Sequence, residues 1–229
     1  MSIPVPLYGA QLLISIDRTI TRERLTRYLR ASAQDLPRAL QLYEYNVALS
    51  EVLYGLLHGL EVAIRNVEHH TLTASYATPT WYDKAPLSRY WKDQVQKAKR
   101  KAGSNPAAGN VIPELTFKFW VDLLSKRNKN ALWIGRQLKT AFPNTALPQE
   151  KIHQRLKAIH LLRNRISHHE PVLTAAKSLY TGDGAIALPE LLECVEWVCI
   201  DTAQWMKTRF RYAEAERILR EVAAMKISL

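Results

Sequence analysis

The sequence contains little glycine and no long uninterrupted apolar segment. Only 8 of its 229 residues are glycine and 47% are hydrophobic, which is typical of a compact protein rich in helix. No apolar run reaches the roughly 18 residues that a bilayer-spanning helix needs, so we expect no membrane partner. The N-terminal stretch "MSIPVPLYGAQLLISIDR" lacks a basic leader and contains two prolines, so we do not expect a secretion signal.

Cysteine is also scarce, since the chain has only Cys194 and Cys199. The two lie five residues apart in a predicted helix, which is a rotation of about 500°. Their side chains therefore leave the helix in different directions and should not form a disulfide bond. A reduced, cytoplasmic protein is the simpler interpretation.

Several catalytic signatures are missing from the sequence. It has no Walker loop, no G-x-S-x-G nucleophile motif, no paired cysteine ligands and no carboxylate cluster suited to a two-metal nuclease. These absences argue against nucleotide hydrolysis on a P-loop, serine hydrolase chemistry and cysteine-based zinc binding. We therefore expect neither a metal nor a cofactor.

Positive charge, in contrast, is abundant and unevenly distributed. The net charge is +11, and residues 83–139 alone hold 13 Lys and Arg against 4 Asp and Glu. Such a basic region attracts polyanions, of which RNA is abundant in the cytoplasm, although a merely solubilising surface has the same composition. The expected RNA-binding patch consists of Lys97, Lys99, Arg100, Lys101, Lys126, Arg127 and Lys129.

Apolar residues recur at helical spacing along most of the chain, so the sequence predicts an all-α protein. Helices are expected over residues 21–31, 36–72, 86–101, 115–124, 131–142, 148–170, 188–206 and 212–225, with loops or turns between them. No convincing strand pattern is present, and residues 181–190 are interpreted as a turn. The aromatic residues of residues 117–133 have helical spacing, which favours core packing over base stacking; they are Phe117, Phe119, Trp120 and Trp133.

The chain has no long or low-complexity linker, so we expect one all-helical domain over residues 1–229. Within it, a division into an N-terminal half, 21–101, and a second half, 113–229, is an alternative.

Residues 161–172, "LLRNRISHHEPV", concentrate polar side chains at the predicted end of a helix. Asn164 and His168 are four residues apart, so they share a helix face and can form a hydrogen bond. Arg163 and His168 are five apart, which is about 140° around an ideal helix. They can converge on one substrate only if the last turn unwinds before Pro171, or if a second copy completes the site.

Such a set of side chains suits cleavage of RNA without a metal ion, because RNA carries its own nucleophile, the 2′-hydroxyl. A histidine can remove the proton of that hydroxyl or protonate the leaving 5′-oxygen. An arginine can hold the phosphate and stabilise the additional charge of the transition state, and an asparagine can fix the imidazole or the substrate.

Two other interpretations of the same residues stay open. His168, His169 and Glu170 could bind a metal, but adjacent histidines diverge by about 100° on a helix and the H-x-x-x-H spacing of zinc sites is absent. The cluster could also be a structural cap, since Arg and protonated His are favourable at the C-terminal end of the helix dipole.

A similar stretch, "LEVAIRNVEHHTL", occupies residues 60–72. Like residues 159–172, it contains an Arg-Asn pair that is followed by two histidines. Both stretches end a helix with an apolar face. Duplication of a helical hairpin and chance similarity of a short string both remain open.

Taken together, these pieces resemble the Abi-like (abortive infection) family of bacteria, whose core is a HEPN-type helical domain. The resemblance covers most of the chain: residues 24–66, "WY" at 81–82, "LTFKFWVDLL" at 115–124, "ALWIGRQLKTAFP" at 131–143 and "LRNRISHHEPV" at 162–172. The last piece is the most specific, because R-N-R-x-x-H-H-E-P is the signature of that family. The resemblance implies a HEPN-like helical bundle with additional helices.

The resemblance also implies an activity and the residues that carry it. HEPN ribonucleases are metal-independent endoribonucleases with an R-x4-6-H motif, which they use as homodimers, and some members only bind RNA. The matching residues are Arg163, Asn164 and His168, with Ser167, Arg165, His169 and Glu170 in support. In the first copy, Arg65, Asn66, His69 and His70 are interpreted as structural support, or else as a second catalytic half.

We therefore expect a cytoplasmic endoribonuclease of an antiphage or toxin-type system, which leaves 2′,3′-cyclic phosphate ends. The alternative is a non-catalytic RNA-binding or regulatory module. Expected partners are RNA, which could include a bound small non-coding RNA, a second copy of the chain, and an antitoxin.

Overall fold

A computed structural model describes residues 7–174 and 178–225, and it confirms that the protein is all-α. The helices are α1 (Ala10–Thr19), α2 (Arg22–Ala31), α3 (Leu36–Tyr76), α4 (Trp81–Lys84), α5 (Arg89–Ala102), α6 (Ala108–Val111), α7 (Phe117–Leu123), α8 (Gln137–Ala141), α9 (Gln149–Ser167), α10 (Pro189–Glu196), α11 (Ile200–Arg209) and α12 (Tyr212–Ala224). Two 3₁₀ turns, Ile112–Glu114 and Lys126–Asn128, lie among them.

One small antiparallel hairpin follows the motif. It pairs β1 (Ser178–Tyr180) with β2 (Ala185–Ala187) in the register Leu179 opposite Ile186. The sequence predicts a turn over part of this region, and the two strands were not predicted. Each strand has three residues and only one buried side chain, which is too short for an alternating pattern to be visible in the sequence.

The chain divides into two compact units, each of which draws on separate stretches of sequence. The first comprises Met1–Leu57, Leu161–Leu191 and Trp205–Leu229, and the second comprises His58–His160 and Leu192–Gln204. The division falls inside α3, after Leu57, and inside α9, after His160. The single-domain prediction stays a prediction.

Contacts between distant residues hold the first unit together. The Arg38 guanidinium donates to the carbonyl of Met225 at 2.6 Å, and Arg211 pairs with Glu51 at 2.9 Å. The amide side chain of Asn46, which is buried in α3, accepts the backbone N–H of Val172 at 2.8 Å. This last bond fixes the segment that follows the motif, and it satisfies a backbone donor that burial would otherwise leave unpaired.

A cluster of aromatic side chains forms the core of the second unit. Trp81, Phe119 and Trp120 are fully buried, and their ring centres lie 5.1 to 6.2 Å apart. Phe117 and Trp133 are buried as well, and the Trp133 indole donates to the carbonyl of Leu123 at 2.8 Å. The predicted core role of these aromatic residues is confirmed.

Helix α3 is the longest element, with 41 residues. By length and composition alone it is able to cross a bilayer, since its most apolar 18-residue window has a mean hydropathy of 1.5. This corrects the expectation that no segment of the chain is long and apolar enough to cross a bilayer. Burial covers 39% of that window, and core helices of soluble proteins share these properties.

Two predicted helices are shorter than expected. The helix predicted over 131–142 is reduced to α8, because Gly135 adopts a φ of 64°, outside right-handed helical geometry. The helix predicted over 188–206 is interrupted between α10 and α11, where the carbonyl of Trp197 accepts the N–H of Asn144 at 3.1 Å.

Candidate functional site

The motif occupies the C-terminal end of α9, which is positioned by its apolar face. Buried residues recur along this helix every three or four positions, at Ile152, Leu156, Ile159, Leu162 and Ile166. This stripe fixes the rotation of the helix about its axis. It therefore determines which polar residues of the motif lie at the surface.

The end of α9 has the hydrogen-bond pattern of a Schellman cap. The N–H of Glu170 donates to the carbonyl of Arg165 at 2.8 Å, and the N–H of His169 donates to that of Ile166 at 3.0 Å. His169 holds a left-handed conformation with a φ of 57°, a position at which glycine is usually found. The helix thus ends before Pro171, as predicted.

Arg165 closes the same turn with its side chain. Its guanidinium lies 2.9 Å from the Glu170 carboxylate, donates to the carbonyl of Pro171 at 3.0 Å, and stands 4.6 Å from the ring centre of Tyr180 in β1. A second guanidinium, that of Arg27, lies 4.4 Å from the same ring centre. Arg165 and Glu170 therefore build the helix end, which is the structural role considered for the motif as a whole.

The three predicted catalytic residues occupy the last turn and the cap of α9. Arg163 and Asn164 are half-buried, and both have interactions with neighbouring residues. His168 is exposed, and its backbone N–H donates to the carbonyl of Asn164 at 2.9 Å. The imidazoles of His168 and His169 form no hydrogen bonds with other residues in the described part of the chain.

A surface pocket of about 700 Å³ lies in the first unit, beside this helix end. One wall is a stripe along α3, which was not predicted as part of the site; it consists of Tyr43, Asn46, Val47, Ser50, Glu51 and Tyr54. The spacing of these residues, at three, four and seven positions, places them on one helix face. The recurrence of Tyr43, Ser50 and Tyr54 at helical spacing is the sequence signal that could have identified this face.

The rest of the pocket comes from α2 and from the motif. Arg24 lines it from α2, and Ile166, Ser167 and His169 line it from the end of α9. Neither His168 nor Arg163 lines it. The structure thus brings two supporting residues of the motif, Ser167 and His169, to the pocket.

The first copy of the motif, residues 65–70, belongs to the second unit, and one of its histidines accepts a hydrogen bond from the core of that unit. The indole N–H of the buried Trp81 donates to Nδ1 of His69 at 3.0 Å. Burial and the neighbouring His70 lower the pKa of His69, which favours the neutral form of this imidazole. The Arg65 guanidinium donates to the Asn66 side-chain oxygen at 3.5 Å, the upper limit for a hydrogen bond, and His70 is exposed.

Glu68, between these residues, is a buried carboxyl group. It is completely inaccessible to solvent, and neither carboxylate oxygen has a hydrogen-bond partner among the described residues. Burial raises the pKa of Glu68 well above its usual 4.5, because an ionised carboxylate is poorly stabilised without water or a partner. Glu68 was not predicted from the sequence as a site residue.

The predicted basic patch is largely exposed in the second unit, with one exception. Lys97, Arg100 and Lys101 are exposed on α5, where Lys101 lies 3.5 Å from the Glu114 carboxylate, and Lys126, Arg127 and Lys129 are exposed around a 3₁₀ turn. Lys99 instead pairs with Asp83 at 2.6 Å and lies 5.3 Å from the ring centre of Tyr82. Its charge is therefore partly neutralised within the protein.

No group of three metal-ligating side chains is assembled anywhere in residues 7–174 and 178–225. His168, His169 and Glu170, considered as ligands from the sequence, do not form such a group. Glu170 is instead paired with Arg165.

Comparisons with known proteins identify no relative. No protein-family model, no curated protein and no solved structure matches the chain. A function for this protein therefore has to be inferred from its own residues and their geometry.

Proposed function

We propose that the protein is a metal-independent endoribonuclease whose catalytic residues are Arg163, Asn164 and His168. The observation that carries this proposal is the end of α9, where a capped turn holds two solvent-exposed imidazoles, His168 and His169, close in sequence to Arg163. A rigid helix end is a suitable support for groups that must act with fixed geometry.

The reaction proceeds by attack of the 2′-hydroxyl of one nucleotide on the adjacent phosphorus. The oxygen–phosphorus bond to the 5′-oxygen of the next nucleotide breaks, which leaves a 2′,3′-cyclic phosphate and a 5′-hydroxyl. His168 removes the proton of the nucleophile or returns one to the leaving oxygen. Arg163 stabilises the charge that develops on the phosphate, and Asn164 orients the imidazole or the substrate.

The resemblance of residues 162–172 to the Abi-like signature supports the same activity and extends it to an antiphage or toxin-type role in the cytoplasm. A homodimer belongs to this proposal, because two copies of the helix end can complete one cleft. Restraint of the enzyme by a protein antitoxin or a small non-coding RNA belongs to it as well.

The experiment that tests the proposal is a cleavage assay on total RNA and on defined oligoribonucleotides in the presence of EDTA. Wild type is compared with Arg163→Ala, with His168→Ala, and with His58→Ala as a control at an exposed histidine of α3. We expect wild type and the control to cleave and to leave cyclic phosphate ends. Both motif variants should lose at least about 100-fold in rate, which is typical for removal of a general acid–base group.

Removal of His168 should leave the protein folded, because the side chain is exposed. Matching melting temperatures for the three variants therefore ensure that a loss of rate reports on catalysis. Undiminished cleavage by both motif variants would contradict the proposed site.

The second candidate is a non-catalytic RNA-binding module. It is favoured by the exposed basic side chains of α5 and of the turn at residues 126–128. It predicts that RNA copurifies with the protein, that binding weakens steeply with salt, and that His168→Ala changes neither binding nor the biological effect. RNA that is bound but left intact by wild type after the copurifying RNA has been removed would favour this candidate.

A further inference from the structure

The pocket beside the motif contains two tyrosines in different environments. Tyr43 is packed edge-on against the buried Tyr28, with ring centres 5.6 Å apart, so its ring is held in place. Tyr54, three helical turns further along α3, is 59% exposed. An exposed tyrosine in a pocket offers a flat surface on which a nucleobase can stack, because every base has a π face.

Several polar groups of the pocket complement the remaining parts of a nucleotide, and the carboxylate of Glu51 in its lining is paired with Arg211 at 2.9 Å. The Arg24 guanidinium forms no ion pair with any of the described residues, which leaves its charge available to a phosphate. The hydroxyl-bearing Ser50 and Ser167 and the imidazole of His169 are also at the pocket. Hydroxyl and imidazole groups are suitable partners for ribose and phosphate oxygens.

The size and polarity of the pocket also fit a nucleotide. Pockets for small molecules typically range from about 300 to 1,000 Å³, and this pocket measures about 700 Å³. Val47 and Ile166 add apolar side chains to the same lining as the two tyrosines. A purely apolar ligand would leave the charge of Arg24 without a partner, which disfavours that class.

We infer that this pocket is the subsite for one nucleotide of the RNA, and that His169 contacts the phosphate of that nucleotide. The inference rests on the proposed endoribonuclease activity and specifies which histidine of the motif faces bound RNA in the pocket. His168 remains the proposed acid–base group outside it, since it does not line the pocket. In this subsite, Tyr54 stacks on the base and thereby contributes to substrate binding and to base preference.

The turn at the end of α9 gives this assignment a structural basis. His169 holds a left-handed conformation where glycine would be less strained, and its side chain has no hydrogen bond within the described residues. A histidine that occupies such a position without forming a hydrogen bond to the described residues is consistent with a role in binding.

The test uses the full chain and measures binding of the four nucleoside 3′-monophosphates, the four nucleosides and a 2′-O-methyl oligonucleotide that cannot be cleaved. The variants are Tyr54→Ala and His169→Asn, since asparagine tolerates a left-handed conformation. The matched controls are Tyr90→Ala, at a tyrosine that is 56% exposed on α5, and His58→Ala. Cleavage of unmodified RNA is measured in parallel.

We expect Tyr54→Ala to weaken binding of nucleosides and nucleotides about ten-fold, as loss of one stacked base does. His169→Asn should leave nucleoside binding unchanged but reduce the preference for the 3′-phosphate several-fold. A general disturbance of the turn would instead affect both ligands equally. Both control variants should bind like wild type.

The two proposals fail in distinguishable ways. If wild type cleaves RNA but Tyr54→Ala and His169→Asn bind and cleave like their controls, the nucleotide subsite is overturned and the endoribonuclease stands. If mononucleotides bind with the expected losses in both variants but RNA is never cleaved, the pocket is supported and the endoribonuclease is overturned. Absence of mononucleotide binding by wild type, with cleavage intact, also overturns the subsite.

Discussion

The indole nitrogen of Trp81 donates to Nδ1 of His69 at 3.0 Å, which ties the first copy of the Arg-Asn-His motif to the aromatic core of its unit. In the second copy, the imidazoles of His168 and His169 form no such bond with the described residues, and His168 is exposed. Two stretches of similar sequence thus place their histidines in different surroundings. This difference favours the structural interpretation of the first copy.

Replacement of His69 by alanine should destabilise the protein by about 1–2 kcal/mol at pH 7, because the buried Trp81 N–H loses its acceptor. The pKa of His69 is lowered by burial, so below pH 6.5 the unfolded chain binds a proton more readily than the folded one. The stabilising contribution of His69 is therefore full above pH 6.5 and declines as the pH falls. Urea unfolding of wild type, His69→Ala and the exposed control His58→Ala between pH 5 and 8 measures both effects. An equal loss in the two variants would contradict the structural role.

Replacement of Glu68 by glutamine should stabilise the protein at neutral pH, because the buried carboxyl has no hydrogen-bond partner among the described residues. The folded-state pKa of Glu68 is raised above 4.5, so the folded state retains a proton that the unfolded chain releases. Wild type therefore loses stability relative to Glu68→Gln as the pH rises above 4.5, by up to about 1.4 kcal/mol per pH unit.

Urea unfolding of wild type and Glu68→Gln from pH 5 to 8 measures this difference in slope. The exposed Asp93 provides the control Asp93→Asn, which should follow wild type. Parallel pH profiles for wild type and Glu68→Gln would show that the buried carboxyl does not titrate as expected.

Removal of the Arg165 side chain should lower the free energy of unfolding by about 1–3 kcal/mol. Its side chain is only 17% exposed, and it joins Glu170, the carbonyl of Pro171 and the Tyr180 ring. Arg165→Lys should recover only part of the loss, since lysine lacks the planar fork that reaches several partners. Denaturant unfolding is the measurement, with the exposed Arg220→Ala as the control. Wild-type stability in Arg165→Ala would refute the proposed clamp.

His169 offers a test of backbone strain that is separate from binding. Its φ of 57° favours glycine, so His169→Gly should preserve or raise stability, by up to about 1 kcal/mol. His169→Val should lower stability, because β-branched residues are strongly disfavoured in this conformation. Thermal unfolding of the two variants should therefore rank glycine above valine. The reverse order would indicate that the turn does not require the left-handed conformation.

Charge removal at the basic patch should weaken RNA binding in a salt-dependent manner. Lys97→Ala and Arg100→Ala each remove one cation that can neutralise a phosphate, so each should reduce the slope of log affinity against log salt by about 0.7, the value typical of single strands. Lys99→Ala is the matched control, because that amine is already paired with Asp83. Anisotropy titrations at several salt concentrations give the slopes. A reduction for Lys99→Ala as large as for the other variants would contradict the assignment.

Local chemistry was sufficient to predict the long helices and the end of the motif helix, but not the additional helices α1, α4 and α6. The apolar spacing at Leu53, Leu57, Leu60 and Ile64 predicted a helix over 36–72, and α3 runs from Leu36 to Tyr76. Pro171 predicted that the motif helix ends before it, and α9 ends at Ser167. Periodicity and proline act over a few residues, which is why they can be interpreted from one sequence.

The sequence by itself therefore determined the helical class, the exposed charge of most of the basic patch, and the position of the motif at a helix end. Only the tertiary structure decided that His169 rather than His168 lines the pocket, that Arg165 closes the turn, and that Lys99 is paired. These outcomes depend on residues far apart in the chain, such as Asn46 with Val172 and Arg165 with Tyr180. The rotation of a helix about its axis and its neighbours in space are set by packing, which local spacing does not specify.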